Sequence, residues 1–419
     1  MMAENTQDTY HLREQRFMDA IALREPDRVP ILEPATNTFA YHYAGYTMAE
    51  ILYDLDKTRD AIRRYLKDFD IDSGRTFGTS LEGQGPMLEK SQSKVYYWAG
   101  MPGNVIDENS IHQFNEFPLL DESEYAQLIK DRTGIFLTKV LPRQYGMLAP
   151  LARLNTDALH FPSPSIDSLA IAFAQPEFQT MLKGLAEYGE MKGSYYRQAG
   201  MFAAEIEAMG YPCMSLGVAM VAFDVFSDFL RGTIGASMDL YDYPTHIEAY
   251  LEEQARIACE TLKTRAVPNR MVFIPMHKGM DGFLSDQHYE RFYWKYLMQL
   301  VDAIIAMGMI PYIYTEGPYS SRLKFLKTLP PAKCVVHFEG VDMALAKREL
   351  GEVACLAGNF PAHFLLNATR EQVVDKVKRL LDVCMSGGGY IWDLDGGLYN
   401  YPPENVEAMY MTVKEHGKY

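Results

Sequence analysis

Ionisable side chains follow several short apolar runs in the second half of this chain, where buried strands would end. Glu316 ends one such run and His337 lies in the next, one strand–helix unit later. Because neighbouring strands of a sheet lie about 5 Å apart, both side chains can reach one ion. With a carboxylate from Asp393 or Asp395 they form a ligand set typical of Zn²⁺ with one open position. A hydrogen-bonded polar cluster without a metal remains the alternative.

Other polar and aromatic residues lie at the ends of further apolar runs. We predict substrate-binding roles for residues that end or follow different strands: His277, Phe223, Asp224, Tyr312, Trp392 and Asn359. Tyr314 is predicted to act with Glu316, because the two positions have the same parity along the strand. Of Tyr312 and Tyr314, we expect only Tyr314 to face the cavity.

The elements that must position these residues alternate between short apolar strands and amphipathic helices. About eight strands are predicted, at 29–33, 71–77, 212–217, 271–276, 310–315, 334–338, 353–357 and 390–394. Strands that are apolar throughout are typical of a parallel sheet covered by helices on both faces. Polar residues at the strand ends fit the mouth of a barrel. The pattern therefore favours an α/β fold, a (β/α)8 TIM barrel, over an open doubly wound sheet.

The predicted domain organisation is simple. The segment at about 84–118 alternates like a β-hairpin rather than a helix. Capping boxes at 245–248 and 369–372 are predicted to begin helices in the second half. We expect a single TIM-barrel domain over 1–419, with an N-terminal helical extension at 1–27 and the hairpin region inserted into the barrel.

Composition argues against several classes of function. The 55 acidic and 40 basic side chains give a net charge of −15, which disfavours binding to nucleic acid and to anionic membranes. No apolar run reaches the roughly 18 residues that span a bilayer, and the polar N-terminus does not resemble a signal peptide. The five cysteines are scattered, without a CxxC pair, as expected of free thiols in the cytoplasm.

Five short motifs resemble the uroporphyrinogen decarboxylase superfamily and occur in the order typical of it. They are Glu25-Pro26-Asp27-Arg28-Val29-Pro30, Gly358-Asn359-Phe360-Pro361, Thr369-Arg370-Glu371-Gln372-Val373, Gly388-Gly389-Tyr390-Ile391 and Pro402-Pro403-Glu404-Asn405-Val406. The resemblance covers nearly the whole chain and is weakest from about 84 to 200. It implies a TIM barrel, in agreement with the strand pattern.

Differences within these motifs indicate the branch of the superfamily. True uroporphyrinogen decarboxylases hold porphyrinogen carboxylates with an N-terminal arginine-rich loop, whereas the first strand here leads into 33–37 without an arginine. In the corrinoid-dependent methyltransferases that act on coenzyme M, a His-x-Cys pair and a distant cysteine hold zinc. The matching positions here are Tyr314, Glu316 and either Asp395 or Gly396. The resemblance therefore implies a site of harder oxygen and nitrogen ligands.

The chain looks like the O-demethylase branch, whose members take a methyl group from aryl methyl ethers such as guaiacol, vanillate or veratrol. Those enzymes pass the methyl group to the cob(I)alamin of a separate corrinoid protein. The resemblance implies that Glu316 and His337 bind Zn²⁺. Candidates for the third ligand are Asp395, which we favour, Asp393 and His277.

The expected activity is therefore methyl transfer, with Glu316, His337 and Tyr314 as catalytic residues. Zinc, or a protonated Glu, His or Tyr, would stabilise charge on the departing phenolic oxygen. The chain has no DxHxxG cobalamin signature, so we expect a corrinoid protein as partner and a small aromatic ether as substrate; a homodimer is compatible with the sequence. The alternatives are a cobalamin-dependent methyltransferase for methylated amines or thiols, and a non-catalytic barrel that binds an aromatic ligand.

Overall fold

A parallel β-sheet forms the centre of the computed structural model, which describes residues 2–77, 80–103, 105–160 and 163–419. Its strands lie in the order β3-β4-β5-β6-β7-β8, and β1 and β2 form a separate antiparallel pair. The strands are β1 (Tyr96–Tyr97), β2 (Gln113–Phe114), β3 (Ser215–Val218), β4 (Met271–Met276), β5 (Ile310–Thr315), β6 (Val335–Phe338), β7 (Cys355–Gly358) and β8 (Tyr390–Ile391). Each sheet strand pairs with the next one along the chain, as in a barrel built from successive βα units.

Two extended segments, 29–33 and 71–74, continue the sheet beyond its regular strands. Backbone hydrogen bonds connect the residue after β8 to the first segment (Trp392 N to Pro30 O, 2.9 Å) and the first segment to the second (Asp72 N to Ile31 O, 3.2 Å). A third bond connects the second segment to the residues before β3 (Gly74 N to Pro212 O, 3.0 Å). These are the positions of the first two predicted strands, although neither segment is a regular strand. The α/β prediction, with a TIM-barrel-type fold, is confirmed.

Alternate residues of the strands face two different apolar layers. The inner layer consists of side chains that face the lumen, including Met271, Ile310, Tyr312, Tyr314, Val335, Cys355, Ala357 and Ile391. The N-terminal helix closes this layer with Phe17, Ala20 and Ile21. The intervening residues, such as Val272, Ile313 and Leu356, pack outward against the helices. This two-residue period decides which polar residues reach the lumen.

The α-helices surround the sheet and build most of the first 210 residues. They are α1 (Met2–Ile21), α2 (Phe39–Tyr43), α3 (Met48–Tyr53), α4 (Leu55–Phe69), α5 (Gly85–Ser91), α6 (Tyr125–Lys130), α7 (Arg132–Ile135), α8 (Leu141–Gln144), α9 (Asp167–Phe173), α10 (Pro176–Ala208), α11 (Ala222–Phe226), α12 (Thr233–Asp242), α13 (Pro244–Lys263), α14 (Asp286–Tyr289), α15 (Lys295–Ala306), α16 (Leu323–Leu326), α17 (Met343–Leu350), α18 (Arg370–Cys384) and α19 (Pro403–His416). Within the described ranges, no helix combines the length and the apolar character needed to cross a membrane.

Helix starts agree with the sequence patterns in part. Thr369 and Gln372 form the predicted capping box at the start of α18. The box predicted at 245–248 is absent, because α13 already begins at Pro244, a residue whose fixed φ suits the first helical turn. The segment 84–118 contains the paired strands β1 and β2, but it also contains helix α5, which the alternating pattern did not predict.

Asp72 joins the two extended segments to the N-terminal region through a buried ion cluster. Its fully buried carboxylate accepts two hydrogen bonds from Arg28 (2.6 Å each), one from Arg16 (2.8 Å) and one from the Ile31 amide (2.8 Å). All of its acceptor positions are therefore used inside the protein. Removal of such a carboxylate takes away the ion-pair partner of Arg28 and one of the two carboxylates that bond Arg16.

We expect Asp72→Asn to lower the free energy of unfolding by about 3 kcal/mol, since one partner of a buried charged group is lost. Asp27→Asn is the matched control, because Asp27 also bonds Arg16 but its side chain is 50% exposed. That change should cost less than about 1 kcal/mol. Urea unfolding of both variants measures the difference; equal losses would contradict a structural role for the Asp72 cluster.

Candidate active site

His277 lies between two carboxylates at the end of β4. Its Nδ1 is 2.5 Å from Oδ2 of Asp228, and its Nε2 is 3.3 Å from Oε1 of Glu316. The sheet register explains the second contact: Met276 pairs with Thr315 across β4 and β5, so the next residue of each strand meets its counterpart. Asp228 is almost buried, whereas the Glu316 side chain is 40% exposed. The triad therefore runs from the core to the mouth of the barrel.

The loop after β4 is fixed by a second aspartate. Asp224, on α11, is fully buried and accepts hydrogen bonds from the backbone amides of His277 (3.2 Å) and Lys278 (2.9 Å). The Tyr293 hydroxyl donates to the same carboxylate at 2.6 Å. Burial raises the pKa of Asp224 to about 6, and the positive charge of His277 opposes this rise. Asp224 thus fixes the backbone that carries His277.

The two flanking carboxylates determine the charge of His277. Burial alone would lower its pKa, but the hydrogen bonds with Asp228 and then Glu316 outweigh burial and raise the pKa to about 10. His277 is therefore an imidazolium at neutral pH. In that form Nδ1–H donates to Asp228 and Nε2–H points toward Glu316. The arrangement presents a proton donor at the mouth.

His337 has the opposite environment. The ring is fully buried in β6 and stacks on Tyr314, with centroids 4.0 Å apart. Its Nε2 lies 2.6 Å from the carbonyl oxygen of Leu394. Because a carbonyl only accepts hydrogen bonds, this nitrogen carries the proton. Burial lowers the pKa of His337 to about 3, against the opposing effect of the Leu394 bond, so the ring is neutral.

Both tyrosines of β5 face the lumen. The Tyr312 hydroxyl donates to Asp393 at 2.7 Å, and Tyr314 stacks on His337. Their rings lie 5.8 and 5.1 Å from the ring of the half-buried Phe273. The expectation that only Tyr314 faces inward was wrong, since residues two apart lie on the same side of a strand. Burial raises the pKa of Asp393 to about 7.

Each of the three predicted metal ligands has another partner in the structure. Glu316 contacts His277, the Nε2 proton of His337 is donated to Leu394, and Asp395 accepts a hydrogen bond from the Ala362 amide at 2.9 Å. Across the part of the chain that the structure describes, no group of three or more His, Cys, Asp or Glu side chains is placed to hold one ion. The predicted set does not fit zinc in this arrangement, and we derive no step through a metal.

Three further predicted site residues have structural partners instead. Phe223 is fully buried in the outer layer against Phe226 and Tyr293. Trp392 also faces that layer, against Phe360, because its neighbours Ile391 and Asp393 face the lumen. Asn359 donates from Nδ2 to two backbone carbonyls, at 3.1 and 2.7 Å, and lines a groove of about 530 Å³ beside α17 and α18. In the structure these three residues pack or form hydrogen bonds around the site.

Three further charged residues lie at the site, and no role was assigned to them from the sequence. Asp228 lies in a π-helical turn, Ser227–Arg231, and such turns leave no periodic signal in a sequence. Lys278 places its Nζ 3.1 Å from Oδ1 of Asp228. Glu339 follows β6 and accepts a hydrogen bond from the Gly317 amide at 2.7 Å. Glu339 follows a buried strand in the same way as Glu316, which is the pattern that predicts ionisable groups at the mouth.

Comparisons with known proteins agree with this architecture. A family model described as "Uroporphyrinogen decarboxylase (URO-D)" matches residues 201–416. A solved structure of a methyltransferase from Methanosarcina mazei has a similar fold, with a TM-score of 0.58 and 12% identity over 96% of this chain and 98% of that one. No curated protein sequence matches. Because the family model covers just over half of the residues, this chain belongs to the uroporphyrinogen decarboxylase family.

Proposed function

We propose that this protein transfers a methyl group from a small aryl methyl ether to the cob(I)alamin of a separate corrinoid protein. The observation that carries the proposal is the position of His277 between two carboxylates, with Nδ1 2.5 Å from Asp228 and Nε2 3.3 Å from the half-exposed Glu316. The family and the likeness in fold to a methyltransferase support the general reaction class. The aromatic ether is our inference from the proton donor and from the rings around it.

A methyl ether of a phenol is inert because phenolate is a poor leaving group. The enzyme must therefore stabilise negative charge on the oxygen as the bond from oxygen to methyl carbon breaks. A phenol has a pKa of about 10, and the pKa of His277 is also about 10. A proton donor matched to the leaving group in this way transfers its proton with little loss of driving force.

The proposed step balances as a substitution at the methyl carbon. The bond between the ether oxygen and the methyl carbon breaks, and the methyl group goes to the external corrinoid acceptor with a new carbon–cobalt bond. The electron pair of the broken bond stays on the oxygen, which takes the Nε2 proton of His277. Glu316 contacts Nε2 and is half exposed, so it can pass a proton from solvent back to the ring.

We propose that aromatic side chains of the lumen below His277 contact the substrate ring. Phe273 is half buried in a strand whose other residues are buried, and its ring adjoins Tyr312 and Tyr314. Phe273 and His277 are four positions apart, so both face the same side if β4 continues in extended form. A flat ring against Phe273 would direct one substituent toward His277. Ring contacts of this kind favour aromatic over aliphatic ethers.

A methylated ammonium compound is the second candidate substrate, because the mouth is rich in carboxylates. Burial raises the pKa of Glu339, and repulsion from Glu316 and Asp395 adds to this rise. Acidic groups this close together would be stabilised by a cation. This candidate shares the methyl acceptor and differs in the leaving group, since an amine departs without needing the proton of His277 during bond breaking.

The decisive experiment supplies a corrinoid protein in its cob(I)alamin state and follows its visible spectrum under anaerobic conditions. Guaiacol, vanillate, veratrol and trimethylamine are tested separately with the full chain. Transfer from a methoxyarene supports the proposal, whereas transfer from trimethylamine alone establishes the second candidate. Binding of guaiacol without transfer from any of the four would indicate a barrel that only binds an aromatic ligand, and would refute both.

Glu316→Gln is expected to lower kcat by about 10- to 100-fold, within the range of a lost acid–base partner. The amide keeps an oxygen near Nε2 of His277 but cannot carry a proton between solvent and the ring. Glu253→Gln, which loses only a surface pair with Arg256, is the control. Activity of Glu316→Gln within about twofold of the original protein would remove Glu316 from the proposed mechanism.

Zinc stays a prediction that the same proteins can test. If Glu316 belongs to a zinc site, the protein should contain about one zinc per chain and Glu316→Gln should contain less. A chelator should then abolish turnover, and added zinc should restore it. A site centred on His277 alone predicts turnover that a chelator does not change. Metal analysis together with chelation therefore separates the two mechanisms.

A further inference from the structure

We propose that a second copy of this chain docks on helix α10, so that the protein forms a homodimer in which the two α10 helices lie antiparallel. The contact uses one side of the helix, called here the α10 face, which carries the exposed residues Leu185, Gly189, Glu190, Tyr196 and Arg197. The inference concerns the assembly of the protein, and it does not rest on the reaction proposed above.

Helix α10 has one buried side and one apolar side that faces solvent. It is 33 residues long, about 50 Å at 1.5 Å per residue, and it packs on the protein through residues such as Phe178, Phe202 and Ile206. On the opposite side Tyr196 is 63% exposed. A long exposed apolar surface of this kind is typical of an interaction site. The exposed apolar residues between 182 and 204 include Leu182, Leu185, Ala186, Tyr196, Met201 and Ala204.

Two glycines leave open space on this side of the helix. A Cβ atom added at Gly189 or at Gly200 would meet no atom of the described residues within 4 Å, apart from its chain neighbours and the backbone of α10. The distance between two packed helices is set by the side chains at their contact. A second helix can therefore approach the backbone of α10 closely at these points, and the large and charged residues between the glycines indicate which helix that is.

The charges on the α10 face are those that a second copy complements. Glu187, on a neighbouring strip of the helix, forms an ion pair with Lys90 of α5. Glu190 and Arg197 are exposed, and neither forms an ion pair with any residue that the structure describes. They are seven positions apart, which is about two helical turns, so both lie along the same side of α10.

A two-fold axis near Gly193 pairs these charges. In a contact with two-fold symmetry, if one residue meets a second residue of the other copy, the reverse contact also forms. With the helices antiparallel, Glu190 meets the partner's Arg197, and Arg197 meets the partner's Glu190. A parallel pair in register would instead place each charge against its own copy, and like charges at an interface are unfavourable. The charges therefore favour the antiparallel arrangement.

The same axis places large side chains opposite small ones. Tyr196 lies opposite the partner's Gly189, and Leu185 lies opposite the partner's Gly200. Each pair is centred within one residue of the axis that pairs the charges. The apolar residues and the charges of the α10 face thus agree on a single register, which is what a self-complementary surface requires.

The first test reverses the two charges in the full-length protein. Sedimentation velocity from about 1 to 100 µM should show a reversible dimer, since a single pair of helices is a small interface. Glu190→Lys and Arg197→Glu should each weaken dimerisation by about tenfold or more, because each places like charges together at two symmetric positions. The double variant restores opposite charges and should dimerise within about threefold of the original. Lys378→Glu, which reverses an exposed charge on α18, is the control and should change nothing.

The second test fills the space opposite Tyr196. Gly189→Leu occupies the position of the partner's Tyr196 ring, so it should weaken dimerisation by about tenfold or more through overpacking. Leucine is a better helix former than glycine, and no other described residue lies near this position. The melting temperature of the dissociated chain at low concentration should therefore stay the same or rise. This result separates loss of the dimer from loss of the fold.

Three results would overturn the inference. A protein that stays monomeric up to about 100 µM has no such interface, and the α10 face would then belong to a different protein partner. A dimer that neither the single charge reversals nor Gly189→Leu weakens is formed by another surface. A double variant that dimerises no better than the single ones would show that Glu190 and Arg197 do not meet across the axis.

Discussion

Replacement of His277 by glutamine is expected to lower kcat for methyl transfer by about 100- to 10,000-fold, the contribution typical of a positioned general acid. Glutamine can still donate a hydrogen bond, but it cannot release a proton to the departing phenolate. The fold should survive, because the His277 side chain is 29% exposed and the loop is held by Asp224 through backbone amides. His416→Gln, at an exposed surface position, is the control.

The pH profile provides a second measure of His277. Its folded pKa is raised to about 10, so the ring is protonated and active below that pH. We expect kcat for the phenolic ether to be level up to about pH 9 and to fall about tenfold per unit above pH 10. In His277→Gln this alkaline decrease should be absent. A decrease that begins near pH 6.5 instead would mean that Asp228 and Glu316 do not hold the proton.

The same raised pKa makes a contribution to stability with a defined sign. In the unfolded chain His277 has an ordinary pKa of about 6.5, so the native state binds the proton more tightly. The stabilisation is full below about pH 6.5 and is lost as the pH rises to about 10. Enzyme assays in the alkaline range therefore need a folding control at every pH.

The strand pattern of the sequence was sufficient to predict much of the fold. Runs such as 271–276 and 310–315 are apolar throughout, because helices cover one face of the sheet and the lumen the other. The prediction that consecutive strand ends meet also holds, but for a different pair. Glu316 meets His277 on the preceding strand rather than His337 on the following one. The spacing of the strands placed both His277 and His337 within reach of Glu316. The two histidines differ in how deeply their side chains are buried.

Burial depth is the property that the sequence could not supply. His337 lies within β6 and not beyond its end, so its ring is enclosed by Tyr314 and the Leu394 carbonyl. His277 follows the last residue of β4 and remains partly exposed. A shift of one residue along a strand moves a side chain by about 3.3 Å. A shift of this size is enough to change a partly exposed, charged imidazole into a buried, neutral one. Because the sequence predicts strand ends only to within two residues, it cannot show which of the two histidines is buried.

Acidification is expected to destabilise the protein through the buried ring of His337. Burial lowers its folded pKa to about 3, whereas the unfolded chain has the ordinary value of about 6.5. Below pH 6.5 the unfolded state binds a proton that the native state rejects. The free energy of unfolding should therefore fall by up to about 1.4 kcal/mol per pH unit from pH 6.5 toward pH 3 on account of this group.

Comparison with His337→Gln isolates this effect. The glutamine amide can donate to the Leu394 carbonyl but does not titrate, so it should lower stability by about 2 kcal/mol at pH 7 through lost packing and then lose less on acidification. The neighbouring Asp393 has a raised pKa of about 7. Its protonation on acidification stabilises the native state, because the native carboxyl takes up the proton at a higher pH than the unfolded one. Only the difference between the two proteins therefore reports on His337. Urea unfolding at pH 7 and pH 4.5 measures it, and an equal loss in both proteins would show that His337 takes up its proton as readily in the native state as in the unfolded chain.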